Sequence, residues 1–143
     1  MKISTKGRYA MRLMLDLAEH NSGGFISLKD VAERQGISKK YLEQIVPVLN
    51  KSDILQTNRG FQGGYKLARE PEKYTVAEIL TLTEGSLAPV VCLDNEPNEC
   101  ERSADCAMLS VWKGLNDVIY KYLNSITLQD ILDKRNYIDN YII

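Results

Sequence analysis

The sequence predicts a mainly α-helical fold: a winged helix-turn-helix with a small β-hairpin wing and a long C-terminal dimerisation helix. Three observations carry this reading. Two short helical patterns, residues 28–35 and 39–50, flank a turn containing Gly36, which is the helix-turn-helix pattern. Two short extended segments within residues 54–67, joined by a glycine-rich tip, follow at once and read as a hairpin, the wing. A pattern over residues 107–124 carries a wide apolar stripe. A domain of this size hides such a stripe most simply against a second copy across a two-fold axis.

The elements follow in chain order. Ala10, Leu13, Met14, Leu17 and Ala18 recur at the spacing of one buried helical face, predicting a helix over 6–20. Asn21-Ser22-Gly23-Gly24 ends it. Ser27 and Ser38 stand where N-caps of the next two helices belong, with Asp30 in the first turn of the earlier one. In the later helix Leu42, Ile45, Val46 and Leu49 form the apolar stripe, and Pro47 predicts a local kink or widened turn near Asn50. Thr75 with Glu78 forms a capping box for a helix over 76–84, which Gly85 ends. Residues 86–105 show no periodicity and contain Pro89 and Pro97, so a functional or disordered segment is expected there. In the long helix Met108, Val111, Leu115, Val118 and Tyr122 alternate in three- and four-residue steps, and Trp112, Ile119 and Leu123 widen the stripe. Thr127 with Asp130 caps a last short helix, and the tail NYIDNYII is apolar enough to dock. The expected organisation is a DNA-binding domain over 1–85, a cysteine-bearing sensor loop over 86–106, and dimerisation and C-terminal helices over 107–143.

The bulk numbers fit an ordinary water-soluble chain. Of 143 residues, 44% are hydrophobic and 26% charged, as in typical globular domains. No apolar run approaches the ~20 residues that span a bilayer, and MKISTKGRYAMRLML has no signal-peptide core. A cytoplasmic location is expected, where stable disulfides are rare. The net charge of −1 conceals a division: residues 1–73 carry 13 Lys and Arg against 8 Asp and Glu, and residues 74–143 carry 5 against 11. A basic N-terminal half fits a nucleic-acid module. The second helix of the motif presents Lys39, Lys40, Tyr41, Glu43 and Gln44 near its N-terminus, the end from which recognition helices reach base edges. Arg59, in the wing, is placed in the minor groove.

All three cysteines, Cys92, Cys100 and Cys106, fall within fifteen residues of a polar, acidic stretch. Free cysteine is usually a buried small hydrophobe, so three thiols there point to ligands or redox groups.

The segments KISTKGRYAMRLMLDLA, ISKKYLEQIVPVLN, NRGFQGGYKLA and TVAEILTLTEGSLAPV together resemble the Rrf2 family of bacterial transcription regulators, over essentially the whole chain. That family includes the iron–sulfur cluster regulators of IscR type, the NsrR and RirA types and the cysteine-metabolism repressor CymR. The resemblance implies a homodimeric winged helix on a pseudo-palindromic DNA operator, with the recognition helix at residues 38–50. It implies phosphate contacts from Lys2, Lys6, Lys39 and Lys40, base or groove readout by Gln44 and Arg59, a specificity gate at Glu43, further contacts from Ser38 and Tyr41, and a wing tip of Gln62, Gly63 and Gly64. The dimer contact falls on Met108, Val111, Trp112, Leu115, Val118, Ile119 and Tyr122.

The spacing C-x7-C-x5-C suits an iron–sulfur cluster, [2Fe-2S] or [4Fe-4S], held by Cys92, Cys100 and Cys106 with a fourth ligand unknown. The family's histidine position is Leu109 here, Arg8 and Arg12 occupy another place it uses, and His20 reads as a surface residue. Asp94, Glu99, Glu101, Asp105, an exogenous thiol or water are the candidates. Zinc lacks its usual tight cysteine pairs here. The alternatives are a cluster-free repressor of cysteine metabolism controlled by a protein partner, and a thiol oxidoreductase. Against an enzyme stand the absence of C-x-x-C and of G-x-G-x-x-G.

Overall fold

The structure, a computed structural model, describes residues 1–141. Its order is α1 (Thr5–Glu19), α2 (Leu28–Gln35), α3 (Lys39–Asn50), β1 (Leu55–Asn58), β2 (Gly64–Leu67), α4 (Val76–Glu84), α5 (Leu109–Asn124) and α6 (Leu128–Tyr141). Short 3-10 turns lie at Pro71–Lys73 and Val91–Leu93. The sheet is the antiparallel hairpin alone among the described residues, with Leu55 opposite Leu67 and Asn58 opposite Gly64. Among the described residues no helix is long and apolar enough to cross a membrane.

The core forms where the apolar stripes of α1, α2 and α3 converge. Leu13, Met14, Leu17, Val31, Leu42, Ile45 and Leu49 are all sealed from solvent in one cluster. Leu128 and Leu132 bring α6 back into that same cluster, so the chain's last helix shares the core of α1, α2 and α3. The helix ends follow the sequence. Ser27 and Ser38 accept backbone N–H bonds from Asp30 and Tyr41 at 3.1 and 3.0 Å, each satisfying a donor the helix leaves unpaired. Gly36 ends α2 in the left-handed region at φ 62°, where a side chain is disfavoured. α3 runs through Pro47 to Asn50 as one helix. The capping box at α4 is half formed. Thr75 accepts from the Glu78 N–H, but the Glu78 carboxylate is taken by Arg69 at 2.5 Å. The box at α6 is complete, with Thr127 and Asp130 each accepting the other's N–H. α6 is longer than the short helix expected, and it carries the tail to Tyr141 with Tyr137 and Ile138 exposed; the final Ile142 and Ile143 lie outside the described residues.

Candidate nucleic-acid interface and cysteine loop

α3 divides cleanly between two environments. Its Leu42, Ile45, Val46 and Leu49 are buried, while Lys39, Lys40, Glu43 and Gln44 are exposed. Lys39 and Glu43 pair loosely at 3.8 Å across one helical turn; with both side chains more than half exposed, such a pair is weak and leaves each free to exchange partners. Tyr41 is half-buried, its ring edge-on to Tyr9 at 5.3 Å, so it braces the recognition helix against α1. Ser38 is tied up as the N-cap. Lys2 and Lys6, ahead of and at the start of α1, are exposed and half-exposed.

The wing stands beside this helix and is held by backbone. Tyr65 and Ile26 exchange both main-chain hydrogen bonds, at 2.8 and 2.9 Å. A Cβ on Gly64 would come within 2.2 Å of the Ile26 carbonyl oxygen, which explains a glycine there. Gly63 is equally confined, since a Cβ would lie 2.4 Å from the Asn58 carbonyl oxygen. Together α3 and the wing enclose an open groove of about 580 Å³ lined by Lys29, Lys39, Glu43, Asn50, Asn58 and Arg59, among others. Sequence reasoning placed Lys39, Glu43, Arg59, Gly63 and Gly64 separately; the fold brings them to this one concavity. Gln44 and Gln62 are exposed outside its lining.

Two supports beneath the interface were not singled out from sequence. Asp16, fully buried on α1, accepts two hydrogen bonds from the Arg34 guanidinium at 2.7 and 3.0 Å and one from the Gln35 amide at 2.9 Å. The hydrogen bond to Asp16 raises the Arg34 pKa above its ordinary value. Arg12 bonds both the side chain and the carbonyl of Gln35, completing a lattice between α1 and α2. Tyr74, also fully buried, donates its hydroxyl to the Ile54 carbonyl at 2.6 Å and accepts the Arg69 N–H at 3.0 Å. It fixes the wing's two roots to each other. The available signal was a lone carboxylate and a lone tyrosine inside otherwise apolar neighbourhoods. Burial pulls the Arg69 pKa down, but the hydrogen bonds and charges of Glu78 and Tyr74 together outweigh it and the net shift is upward.

Cys92 and Cys100 are half-buried and share a pocket of about 380 Å³ with Val91, Asp94, Asn95 and Glu99. Cys106 is exposed and lies outside that lining. None of the three is in a disulfide. Three thiols suit a thiolate-held metal–sulfur centre in donor type, and the fold gathers two of them. Among the described residues no group of three or more His, Cys, Asp or Glu side chains is placed to hold a metal ion. His20 ends α1 with its ring nitrogen 2.9 Å from the Asp16 carbonyl oxygen, and it belongs to the α1 end rather than to the cysteine loop. α5 starts at Leu109 with Met108 as its N-cap, slightly later than the sequence predicts; Met108, and Val111, Leu115, Val118 and Tyr122 along the helix, are exposed. Trp112 is half-buried, and Ile119 packs inward against the small cluster of Val76, Ala77, Leu80 and Leu87.

Comparison with known proteins gives one consistent answer. A model of the Rrf2 family, described as iron-dependent transcriptional regulator, matches residues 3–134. A protein named rrf2 from Nitratidesulfovibrio vulgaris is 40% identical over 132 residues, covering 92% of this chain and 87% of its own length. The structure of CymR, the global cysteine regulator of B. subtilis, superposes with TM-score 0.75 at 36% identity, covering 94% of this chain and 98% of that one. That of T. potens IscR superposes with TM-score 0.74 at 41% identity, covering 94% and 88%.

Proposed function

We propose, from the premise that this chain belongs to the Rrf2 family of DNA-binding transcriptional regulators, that it acts as a two-fold dimer on a pseudo-palindromic operator and that its cysteine loop tunes the binding. The observation that carries this reading is the groove shared by α3 and the wing, with Lys39, Glu43 and Arg59 on its walls. Lys2, Lys6, Lys39 and Lys40 neutralise phosphates and set affinity and its salt dependence. Gln44 reads a base edge, since a side-chain amide matches the paired donor and acceptor of adenine in the major groove. Glu43 accepts from cytosine N4 or repels the wrong base, and its loose pairing with Lys39 lets it turn to either task. Arg59 enters the minor groove, where its charge is favoured by narrowness.

The exposed face of α5 joins two copies, placing their recognition helices about one helical turn of DNA, ~34–36 Å, apart. An iron–sulfur cluster on Cys92, Cys100 and Cys106 is the finer assignment, supported by the donor set and by the iron-dependent character of the family. Such a centre supplies a redox- and ligand-sensitive crosslink within the loop. Holding it requires Cys106 to join the other two, which ties occupancy to the path of residues 86–108 and so to the start of α5. The likeness to CymR favours a second reading: a cluster-free repressor of cysteine metabolism controlled by a protein partner.

One preparation separates the two. Protein reconstituted with iron and sulfide under anaerobic conditions is examined by absorption spectroscopy, iron and sulfide analysis and operator binding, beside Cys92→Ala. A broad band near ~400 nm with matched iron and sulfide, lost in the variant together with altered operator affinity, is the expected result. A colourless wild type that binds the operator as well as Cys92→Ala does would establish the second reading.

A further inference from the structure

Phe61 is the least protected large apolar side chain among the described residues, at 97% exposure. Exposure alone would mean little, since scattered surface apolar residues are normal. Its position is what gives it meaning. The Gly63 N–H donates to the Gly60 carbonyl at 2.9 Å, closing a four-residue turn with Phe61 and Gln62 at its corners. Of those corners Gln62 alone has a positive φ, 63°, the pattern of a type II turn. The turn is flanked by Gly60 at φ 103° and by Gly63 and Gly64, neither of which has room for a Cβ. The hairpin beneath it is pinned to Ile26 by two backbone hydrogen bonds. Polar residues dominate turn corners. Here an aromatic ring is held out from the protein on a backbone with little freedom, two residues beyond Arg59 on the rim of the recognition groove.

We propose that Phe61 is an apolar wedge for the operator's minor groove, inserting at a base step beneath the wing while Arg59 supplies the charge. The proposal rests on the DNA-binding reading above. A phenyl ring has no donor or acceptor for base edges, so its contribution is contact with sugar faces and partial unstacking of a step. Pyrimidine–purine steps unstack most easily. Phe61 therefore selects for TA or CA steps at the wing position of each half-site, by deformability and not by hydrogen bonding. At 97% exposure its side chain adds almost nothing to the packing, so its removal leaves the fold intact.

The test begins with duplexes selected by the wild-type protein from a randomised pool. Phe61→Ala should bind the selected duplex about tenfold more weakly at every salt concentration, because no phosphate contact is lost. Its thermal unfolding should match wild type. Phe61→Leu, which keeps an apolar wedge, should recover most of the affinity. Arg59→Ala should instead weaken binding with a shallower salt slope. A 2-aminopurine base scanned along the duplex should brighten at one step per half-site with wild type and not with Phe61→Ala. If wild type selects a duplex and Phe61→Ala binds it within twofold, or if no position brightens, the wedge is overturned while the DNA-binding reading stands. If wild type selects no duplex at all, both fall together.

Discussion

The helices α3 and α5 carry apolar stripes of similar quality and meet opposite fates. The 12 residues of α3 include four that are buried, and the 16 of α5 include none. Each side of α3 has its use within one chain: the apolar side meets α1, α2 and α4, and the polar side is left open beside the wing. α5 rests on the chain along one edge, where Ile119, Tyr120 and Leu123 pack on the small cluster at α4. Its other edge, Met108, Val111, Leu115, Val118 and Tyr122, faces solvent at 43 to 64% exposure. A contiguous apolar strip of that kind on an ordered helix marks an interaction surface. The difference teaches that the helix-turn-helix and wing are packed complete within a single chain, whereas the open edge of α5 is left for a partner, which the reading proposed above takes to be a second copy.

The strongest way to break that contrast is to charge the open edge of α5. Leu115→Asp with Val118→Asp should yield a folded monomer by sedimentation, because neither side chain belongs to a buried cluster. Operator affinity should fall by about 10²–10⁴-fold, the gain that linking two binding modules provides. A variant that remains dimeric would assign the two-fold contact to another surface and leave the α5 strip without a role.

The complementary change strikes the finished half. Asp16→Ala removes the acceptor of three hydrogen bonds and leaves Arg34 and Gln35 facing a buried void. Losing one partner of a buried pair costs about 3–5 kcal/mol; Arg34 is one-third exposed and can recover some hydration, so the expected loss is about 2–4 kcal/mol. Urea unfolding followed by circular dichroism reads it. A loss under about 1 kcal/mol would mean that the α1–α2 lattice is incidental and that the apolar cluster alone holds the reading head.

These two changes also show what the sequence made legible. The bounds of α2 and α3, the caps at Ser27, Ser38 and Thr127, and the hairpin follow from rules that act within a few residues. The apolar spacing of α5 identified its open edge, because that pattern does not depend on what covers it. Pro47 predicts a local kink or widened turn near Asn50, and the helix continues past it to Asn50. The carboxylate of Glu78 was assigned to a capping box by its spacing, and Arg69, nine residues upstream, takes it instead. Asp16 and Tyr74 were passed over because their partners come from distant segments, Arg34 and Ile54. The cysteine spacing announced a ligand set and did not say which thiols would meet. That depends on the path of a loop with little regular structure, and the fold pairs Cys92 with Cys100 and leaves Cys106 apart.

The smallest effect probes the seam between the two regions. There Val76 N–H bonds the Ile126 carbonyl and Leu128 N–H bonds the Tyr74 carbonyl, at 2.9 and 3.0 Å, stitching the end of α5 and the start of α6 to the root of α4. The Asp130 carboxylate caps this junction. Its pKa is lowered by the Thr127 backbone N–H first and by the Thr127 hydroxyl second. A depressed carboxylate pKa means that the folded state favours the ionised form. The stabilisation is therefore complete above the ordinary carboxylate range and is lost as pH falls through the lowered value. Asp130→Asn should melt slightly below wild type at pH 7, and the gap should close as the pH drops below the ordinary carboxylate range. The exposure of Asp130 keeps the gap small and sensitive to salt. A gap that persists unchanged in acid would mean that the cap works through hydrogen-bond geometry alone, and that the seam does not sense charge.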